Sequence, residues 1–327
     1  MSVLVTGAAG FAGSHLLDLL TADGSGVVAW HRPGHEPPTR KGVRWQAVDI
    51  VDADAVSRAV AEIAPRAVYH CAGAAHVGKA WENTTPTFEI NVRGTHNLLE
   101  ALRRVKTRAS VLIPSSGLVY RSSNEAIAED DALVPHNPYG LSKLAQEMTA
   151  LRARADGLRV TVARAFNHVG ARQDPFFAAS GFARRIADIE AGKWAPEIAV
   201  GNLDARRDIH DVRDTVRAYR LILEHGVDGR AYNVCSGRAI SIRALLDKLL
   251  AHARVPISVR VDPARYRPND VPVLFGDPTR LTTELGWLPE IDLDRTVEDL
   301  LGYWRMIAGE QKANHAGNGN PLRSGDS

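Results

Sequence analysis

The amino-terminal stretch constrains the fold most. Val3-Leu4-Val5, a short apolar run rich in β-branched residues, leads into Thr6-Gly7-Ala8-Ala9-Gly10-Phe11-Ala12-Gly13. A helical pattern carrying Leu16, Leu17, Leu19 and Leu20 follows. Strand, glycine turn and helix are the context a dinucleotide loop requires. Glycines at these intervals permit a tight turn, close backbone approach to a pyrophosphate and tight packing of helix on strand. The helix N-terminus adds unpaired N–H groups and the positive end of its dipole for the phosphates. An ordinary strand–helix turn has no need of Gly7, Gly10 and Gly13 together.

The strands that follow refine this picture. Val27-Val28-Ala29-Trp30 ends at His31-Arg32-Pro33, where an NAD site usually places an acid on the ribose 2′-hydroxyl. This chain offers His31 and Arg32 instead. A guanidinium suits a 2′-phosphate, so NADP(H) is expected over NAD(H); the alternative for Arg32 is a solvent-facing loop side chain. Residues 43–48 form a third strand, after which Asp49 and Ile50 could bracket an adenine ring. Residues 52–63 carry Val56, Val60 and Ile63 at helical spacing. A buried fourth strand opens through Cys71, Ala72 and Gly73, small enough for a flat ring to approach the backbone. His70 reads as a packed strand histidine. His76 and Lys79 fall where open α/β sheets bind ligands, and are substrate candidates or surface loop charges.

The chemistry concentrates further on. The fifth strand, from Ser110, runs to Ser115-Ser116-Gly117, and Asn137-Pro138-Tyr139-Gly140-Leu141-Ser142-Lys143 turns helical after the proline. Tyr139 and Lys143 stand four residues apart and share a helix face. A phenol titrates near ~10, and an adjacent ammonium is expected to lower that value. The pair is then an acid/base device for an alcohol or ketone oxygen, with the Ser116 hydroxyl as anchor for that oxygen. A helix over 86–105 carries Asn91, which either bridges a water to Lys143 or is a satisfied core amide. Metalloprotease, Cys-x-x-Cys and nucleophile-elbow motifs are missing from the sequence. Arg206-Arg207-Asp208-Ile209-His210 could suggest a metal cluster; without a second cluster, a phosphate or surface role is expected and no metal.

Composition excludes other classes. Among 327 residues the net charge is +2, which argues against a general nucleic-acid or membrane-surface binder. No apolar run approaches the ~18 residues of a membrane span. The first strand begins at Ser2, so no signal peptide is expected. Cys71 and Cys235 give no disulfide framework, and inert buried thiols in a reducing cytoplasm are expected.

With the glycine loop, Ser116, Tyr139 and Lys143 together, the chain resembles the extended short-chain dehydrogenase/reductases, the nucleotide-sugar epimerases, dehydratases and ketoreductases. The likeness runs from about residue 3 to 304. It implies a Rossmann-type doubly wound parallel α/β sheet with a smaller, discontinuous substrate domain. It also implies Ser116, Tyr139 and Lys143 as catalytic residues with Asn91 as a fourth, and Phe11 and Ala12 beside the loop glycines at the cofactor. Arg164-Ala165-Phe166-Asn167-His168-Val169-Gly170, residues 201–208, Tyr232-Asn233-Val234-Cys235-Ser236-Gly237 and residues 262–270 resemble the branch handling GDP-mannose derivatives. By that resemblance Asn167, Arg207 and Arg267 contact a nucleotide sugar, the arginines at its diphosphate, with Lys193 and Glu197 near the base. Dehydratases of this branch carry an acid two positions after the catalytic Ser/Thr, where this chain has Leu118. Leucine cannot do acid/base work. The expectation is therefore NADPH-dependent reduction of the 4-keto group of a GDP-linked 4-keto-6-deoxyhexose. A 4,6-dehydratase, a 4-epimerase and a non-catalytic NADP sensor are the alternatives.

The expected organisation is a cofactor domain of 1–166 and 203–234 and a substrate domain of 167–202 and 235–310. Helices are expected over 182–191, 212–224, 242–252 and 294–307, with a disordered polar tail over 311–327. The helix pair 86–105 and 139–155 is a candidate face for a homodimer, as is usual in the resembled family.

Overall fold

The computed structural model describes residues 2–22, 24, 26–266 and 271–317. Its strands are β1 Val3–Thr6, β2 Val27–His31, β3 Val43–Ala47, β4 Ala67–His70, β5 Ser110–Ser116, β6 Arg159–Ala165 and β7 Asn167–Val169. They continue with β8 Glu197–Val200, β9 Arg206–Asp211, β10 Ala231–Val234, β11 Ala239–Ser241, β12 Ser258–Val261 and β13 Val273–Leu274. The helices are α1 Phe11–Thr21, α2 Ala53–Ile63, α3 Val77–Glu82, α4 Thr84–Phe88, α5 Gly94–Arg104 and α6 Pro138–Arg152. After these come α7 Ala178–Glu190, α8 Val212–His225, α9 Ile242–Ala251, α10 Thr279–Leu285 and α11 Leu293–Gly317.

The chain divides into two units. The first comprises 1–168, 206–239 and 273–291, and holds a seven-stranded sheet of order β10-β6-β5-β4-β1-β2-β3. All its pairings are parallel. Parallel strands covered on both faces read as continuous apolar runs, and side chains alternate between the faces. Leu4, Val68 and Val111 lie in register and meet Val56, Val60, Leu98 and Leu102 of α2 and α5. Their neighbours Val5, Tyr69 and Leu112 point the other way, against Leu16 and Leu17 of α1 and Val216, Tyr219 and Ile222 of α8. Strand order reverses between β1 and β4, the topological switch where doubly wound sheets bind ligands.

The second unit comprises 169–205, 240–272 and 292–327. In it α7, α9 and α11 pack together, and β8 pairs in parallel with β12. Trp304 Nε1 donates to Ser180 Oγ at 2.9 Å, and Glu190 takes the Arg305 guanidinium at 2.7 Å. Two boundaries differ from expectation. Residues 273–291 return to the first unit, because β13 pairs in parallel with β9 and Trp287 Nε1 donates to the Asp214 carbonyl at 3.1 Å. Helix α11 runs on to Gly317, past the expected start of an irregular tail at 311; residues 318–327 lie outside the described residues.

The helix expected over 86–105 is three segments in one. Between α4 and α5 the residues Glu89–Arg93 form a π-helical turn. Helix α6 begins as the sequence predicts: Asn137 Oδ1 accepts from Gly140 N at 2.8 Å, and Pro138 occupies the first turn. Further along α6, Glu147 is fully buried and receives Arg164 of β6 at 2.9 Å. Ser115 Oγ donates to the same carboxylate, and Arg164 Nη1 donates to Tyr120 Oη at 2.8 Å and the Glu129 carbonyl at 3.0 Å. Glu147→Gln removes the counter-charge from a buried guanidinium, at an expected cost of about 3–5 kcal/mol. A lowered denaturant midpoint at unchanged m would show this, with partial recovery in the apolar double variant Glu147→Leu/Arg164→Met.

Candidate active site

The glycine loop is built by close backbone approach. Gly7 has φ +60°, and a Cβ there would lie 2.5 Å from Ala72 N, in the loop after β4. A Cβ at Gly13 would lie 2.4 Å from the Gly7 carbonyl oxygen. Gly10 caps α1 without any side-chain hydrogen bond, leaving the first-turn amides of α1 without a side-chain acceptor. The donor set and the bare backbone suit a dinucleotide pyrophosphate. Thr6 completes the crossing: its Oγ1 accepts from Ala72 N at 3.1 Å.

The remaining cofactor candidates flank this loop with different degrees of commitment. Phe11 and Ala12 open α1, and Phe11 stacks on His168 with ring centroids 5.7 Å apart. Burial, followed by the charge of His210, holds the His168 imidazole down at about 4. His31 ends β2, edge-on to Trp45, and Arg32 is exposed just beyond it. Asp49 Oδ1 accepts from Val51 N at 3.1 Å within its own turn. The Ile50 side chain packs into the core, where a Cβ on Gly94 would meet it at 2.8 Å. Cys71 is half-buried, with its thiol pushed up to about 12 by burial, and Gly73 is exposed.

Ser116 and Tyr139 meet as the sequence predicts. Ser116 ends β5 and its Oγ accepts from Leu118 N at 3.2 Å. Burial pushes the Tyr139 phenol up to about 12, opposed by a hydrogen bond from Ser116. The expected lowering by Lys143 is therefore corrected. Both side chains share the α6 face, but the Lys143 ammonium is engaged by Gln146 Oε1 three residues further on. Burial lowers Lys143 itself to about 8. Gly140 is needed here for contact: a Cβ would come 2.3 Å from the Leu118 carbonyl oxygen.

Asn91, the fourth expected member, sits fully buried in the π turn. Its Oδ1 accepts from Ala74 N at 2.8 Å, and Nδ2 donates to the Ala74 carbonyl at 3.2 Å and Ser142 Oγ at 2.9 Å. The amide thus braces the loop after β4 against α6, as the second of its two expected readings, a satisfied core amide, has it.

The substrate candidates are more scattered. His76 caps α3 and Lys79 is exposed within it. Asn167 is exposed in β7, and Arg207 Nη1 donates to the Arg206 carbonyl at 2.8 Å. Next to it, Asp208 and His210 are buried, while Arg206 is exposed and Arg207 half-buried. The Asp208 carboxylate accepts from Ser236 N, Ser236 Oγ and Gly237 N at 2.7–2.9 Å. Lys193 and Glu197 belong to the second unit, paired with Asp188 at 3.2 Å and Arg260 at 2.9 Å. Arg267 lies outside the described residues. Among the described residues, no group of three or more His, Cys, Asp or Glu is placed to hold a metal ion. No helix among them is long and apolar enough to cross a membrane.

Comparison with known proteins agrees with this geometry. The family model for GDP-mannose 4,6 dehydratase matches residues 4–300. The GDP-6-deoxy-D-mannose reductase of Pseudomonas aeruginosa is 36% identical, over 94% of this chain and 99% of the relative. The solved structure of RMD from Pseudomonas aeruginosa complexed with NADPH superposes with a TM-score of 0.83 at 34% identity, covering 94% of this chain and 100% of that one. UDP-glucose 4-epimerase from Thermotoga maritima, solved with UDP-glucose, gives 0.84 at 27% identity over 94% and 99%. The chain belongs to the GDP-mannose 4,6 dehydratase family, within the extended short-chain dehydrogenase/reductases.

Proposed function

We propose that this protein is a nucleotide-sugar 4-ketoreductase that uses NADPH to reduce a GDP-linked 4-keto-6-deoxyhexose. The observation that carries the reading is Leu118. It stands in the turn directly after Ser116, where a dehydratase needs an acid, while Ser116 and Tyr139 are hydrogen-bonded and intact. Reduction requires one proton and orientation; dehydration requires an additional acid/base group that leucine cannot supply. The likeness to a GDP-6-deoxy-D-mannose reductase and to an NADPH complex supports the same reading.

The first unit is the cofactor domain and the second binds the nucleotide sugar. Gly7, Gly10, Gly13 and the α1 amides hold the pyrophosphate, and Arg32 with His31 takes the adenosine 2′-phosphate. The dinucleotide, when bound, supplies the reducing equivalent. Ser116 orients the substrate carbonyl, and Tyr139 donates the proton to its oxygen. A phenol held at about 12 is protonated at neutral pH, the state an acid must start from. Lys143 remains cationic below about 8 and positions the nicotinamide ribose. Asn167 and Arg207 of the first unit contact the sugar nucleotide, a guanidinium fork being suited to its diphosphate.

Tyr139→Phe is expected to lower kcat by about 10²–10⁴ with NADPH affinity largely retained. No turnover by the unsubstituted protein, with NADPH binding the same before and after the substitution, would instead favour a binding protein whose phenol has no chemical part. NADPH absorbance with a GDP-4-keto-6-deoxyhexose should fall, and with GDP-mannose should not. A keto product formed from GDP-mannose would establish the dehydratase in its place.

A cytoplasmic homodimer is the assembly we favour. Helices α5 and α6 present a groove on their outer faces, lined by His96, Leu99, Arg103, Met148, Thr149 and Arg152, with Met148 half exposed. An apolar side chain of that size in a charged rim fits a self-complementary contact. Light scattering should give twice the chain mass, and Met148→Glu should shift it toward the monomer.

A further inference from the structure

Five buried side chains run in an unbroken hydrogen-bonded line from β1 to the helix that carries Tyr139: Thr6, His70, Thr95, Gln146 and Lys143. The protons on this line can be placed without ambiguity. The Thr95 hydroxyl donates to the Asn91 carbonyl at 2.6 Å, so its oxygen must accept from Gln146 Nε2 at 2.8 Å and His70 Nε2 at 2.9 Å. His70 therefore carries its hydrogen on Nε2, and its Nδ1 accepts from the Thr6 hydroxyl at 2.8 Å. Burial and then the Lys143 charge hold His70 at about 3, so it stays neutral and in this one tautomer. With Gln146 Nε2 committed to Thr95, Oε1 is left facing Lys143, whose Nζ donates to it. Flipping the amide would set an NH₂ against the ammonium.

We infer that Gln146 is a positioning residue for Lys143, its amide locked through Thr95, His70 and Thr6 to the strand that opens the glycine loop. This rests on the reading of Lys143 as the lysine serving the cofactor. A neutral acceptor orients the ammonium without committing it to a counter-charge, so the lysine can exchange that bond for one to a ligand. The ionisable groups around Lys143 are Glu147 and Tyr139 on its own helix and His70 and Cys71 from β4 and the loop after it. From the π turn and α5 come only the uncharged Asn91 and Thr95.

NADPH affinity, followed by its fluorescence as a function of pH, separates this role from a merely structural one. The anionic cofactor favours the ammonium, so affinity falls as pH rises through the Lys143 ionisation. Gln146→Leu removes one accepted bond and should weaken binding about tenfold, moving the limb to lower pH. Gln146→Glu adds a negative charge and should move it to higher pH. Thr95→Val, which unlocks the amide, should move it in the same direction as leucine and less far. Opposite displacements by leucine and glutamate are not produced by loosened packing. Unchanged limbs in all three variants, with only a lower Tm, would overturn the inference. Lys143→Met tests the underlying reading separately: a limb that persists there does not belong to Lys143.

Discussion

The buried pairing of Arg164 with Glu147 is the interaction on which the site geometry depends. A guanidinium and a carboxylate are costly to bring out of water, and are held there when every remaining polar group finds a partner. Here Ser115, Tyr120 and the Glu129 carbonyl complete the set. Tyr120 in turn donates to Asn233 Oδ1 at 2.7 Å, and Asn233 N donates to Glu129 Oε1 at 2.8 Å. One cluster thereby fixes α6 to β5, β6 and β10. Ser115 is the residue before Ser116, and Glu147 lies one helical turn beyond Lys143. The ion pair thus locates both sides of the proposed catalytic set without taking part in the proposed chemistry.

What was legible in the sequence was local. The glycine loop declared itself through spacing after an apolar run, and α6 through Asn137 and Pro138. The succession of strands and helices along the amino-terminal half followed from the alternation of apolar runs with helical periods. Long-range pairings were not legible. Nothing local to residues 273–291 says that they return to the first unit; that return depends on β9 and on Trp287, reached across dozens of residues. The protonation behaviour of Tyr139 was misjudged for a similar reason. Helical spacing sets which side chains share a face, whereas the partner of Lys143 depends on Gln146, which only becomes a fixed acceptor through Thr95 and His70. Gln146 stands three residues after Lys143 and could have been noticed as a polar residue on a buried face, but its significance needed β4 and α5 in place.

Backbone contacts do as much as side chains to define the site. Gly140 lets the Leu118 carbonyl approach the first turn of α6, and Gly7 lets the loop after β4 cross the loop after β1. Both contacts bring together segments bearing the proposed chemistry, Ser116 with Tyr139 in one case and the cofactor loop with Ala72 in the other. A side chain at either glycine would displace backbone, which yields less readily than the end of a flexible side chain.

The π turn at Glu89–Arg93 has a consequence of angle. Each residue of an α-helix advances about 100° around its axis, so one residue more or less resets the bearing of everything downstream. Asn91 inside the turn faces Ala74 and Ser142, while Leu98, Leu99 and Leu102 beyond it face the sheet. The turn works as a phase shifter between two stretches of one rod, letting each meet its own partners. Shortening it by one residue would leave Asn91 in place and turn the helix beyond it by about 100°, setting Glu100 and Arg103 where Leu99 and Leu102 now pack. The length of the helix is therefore fixed at this point.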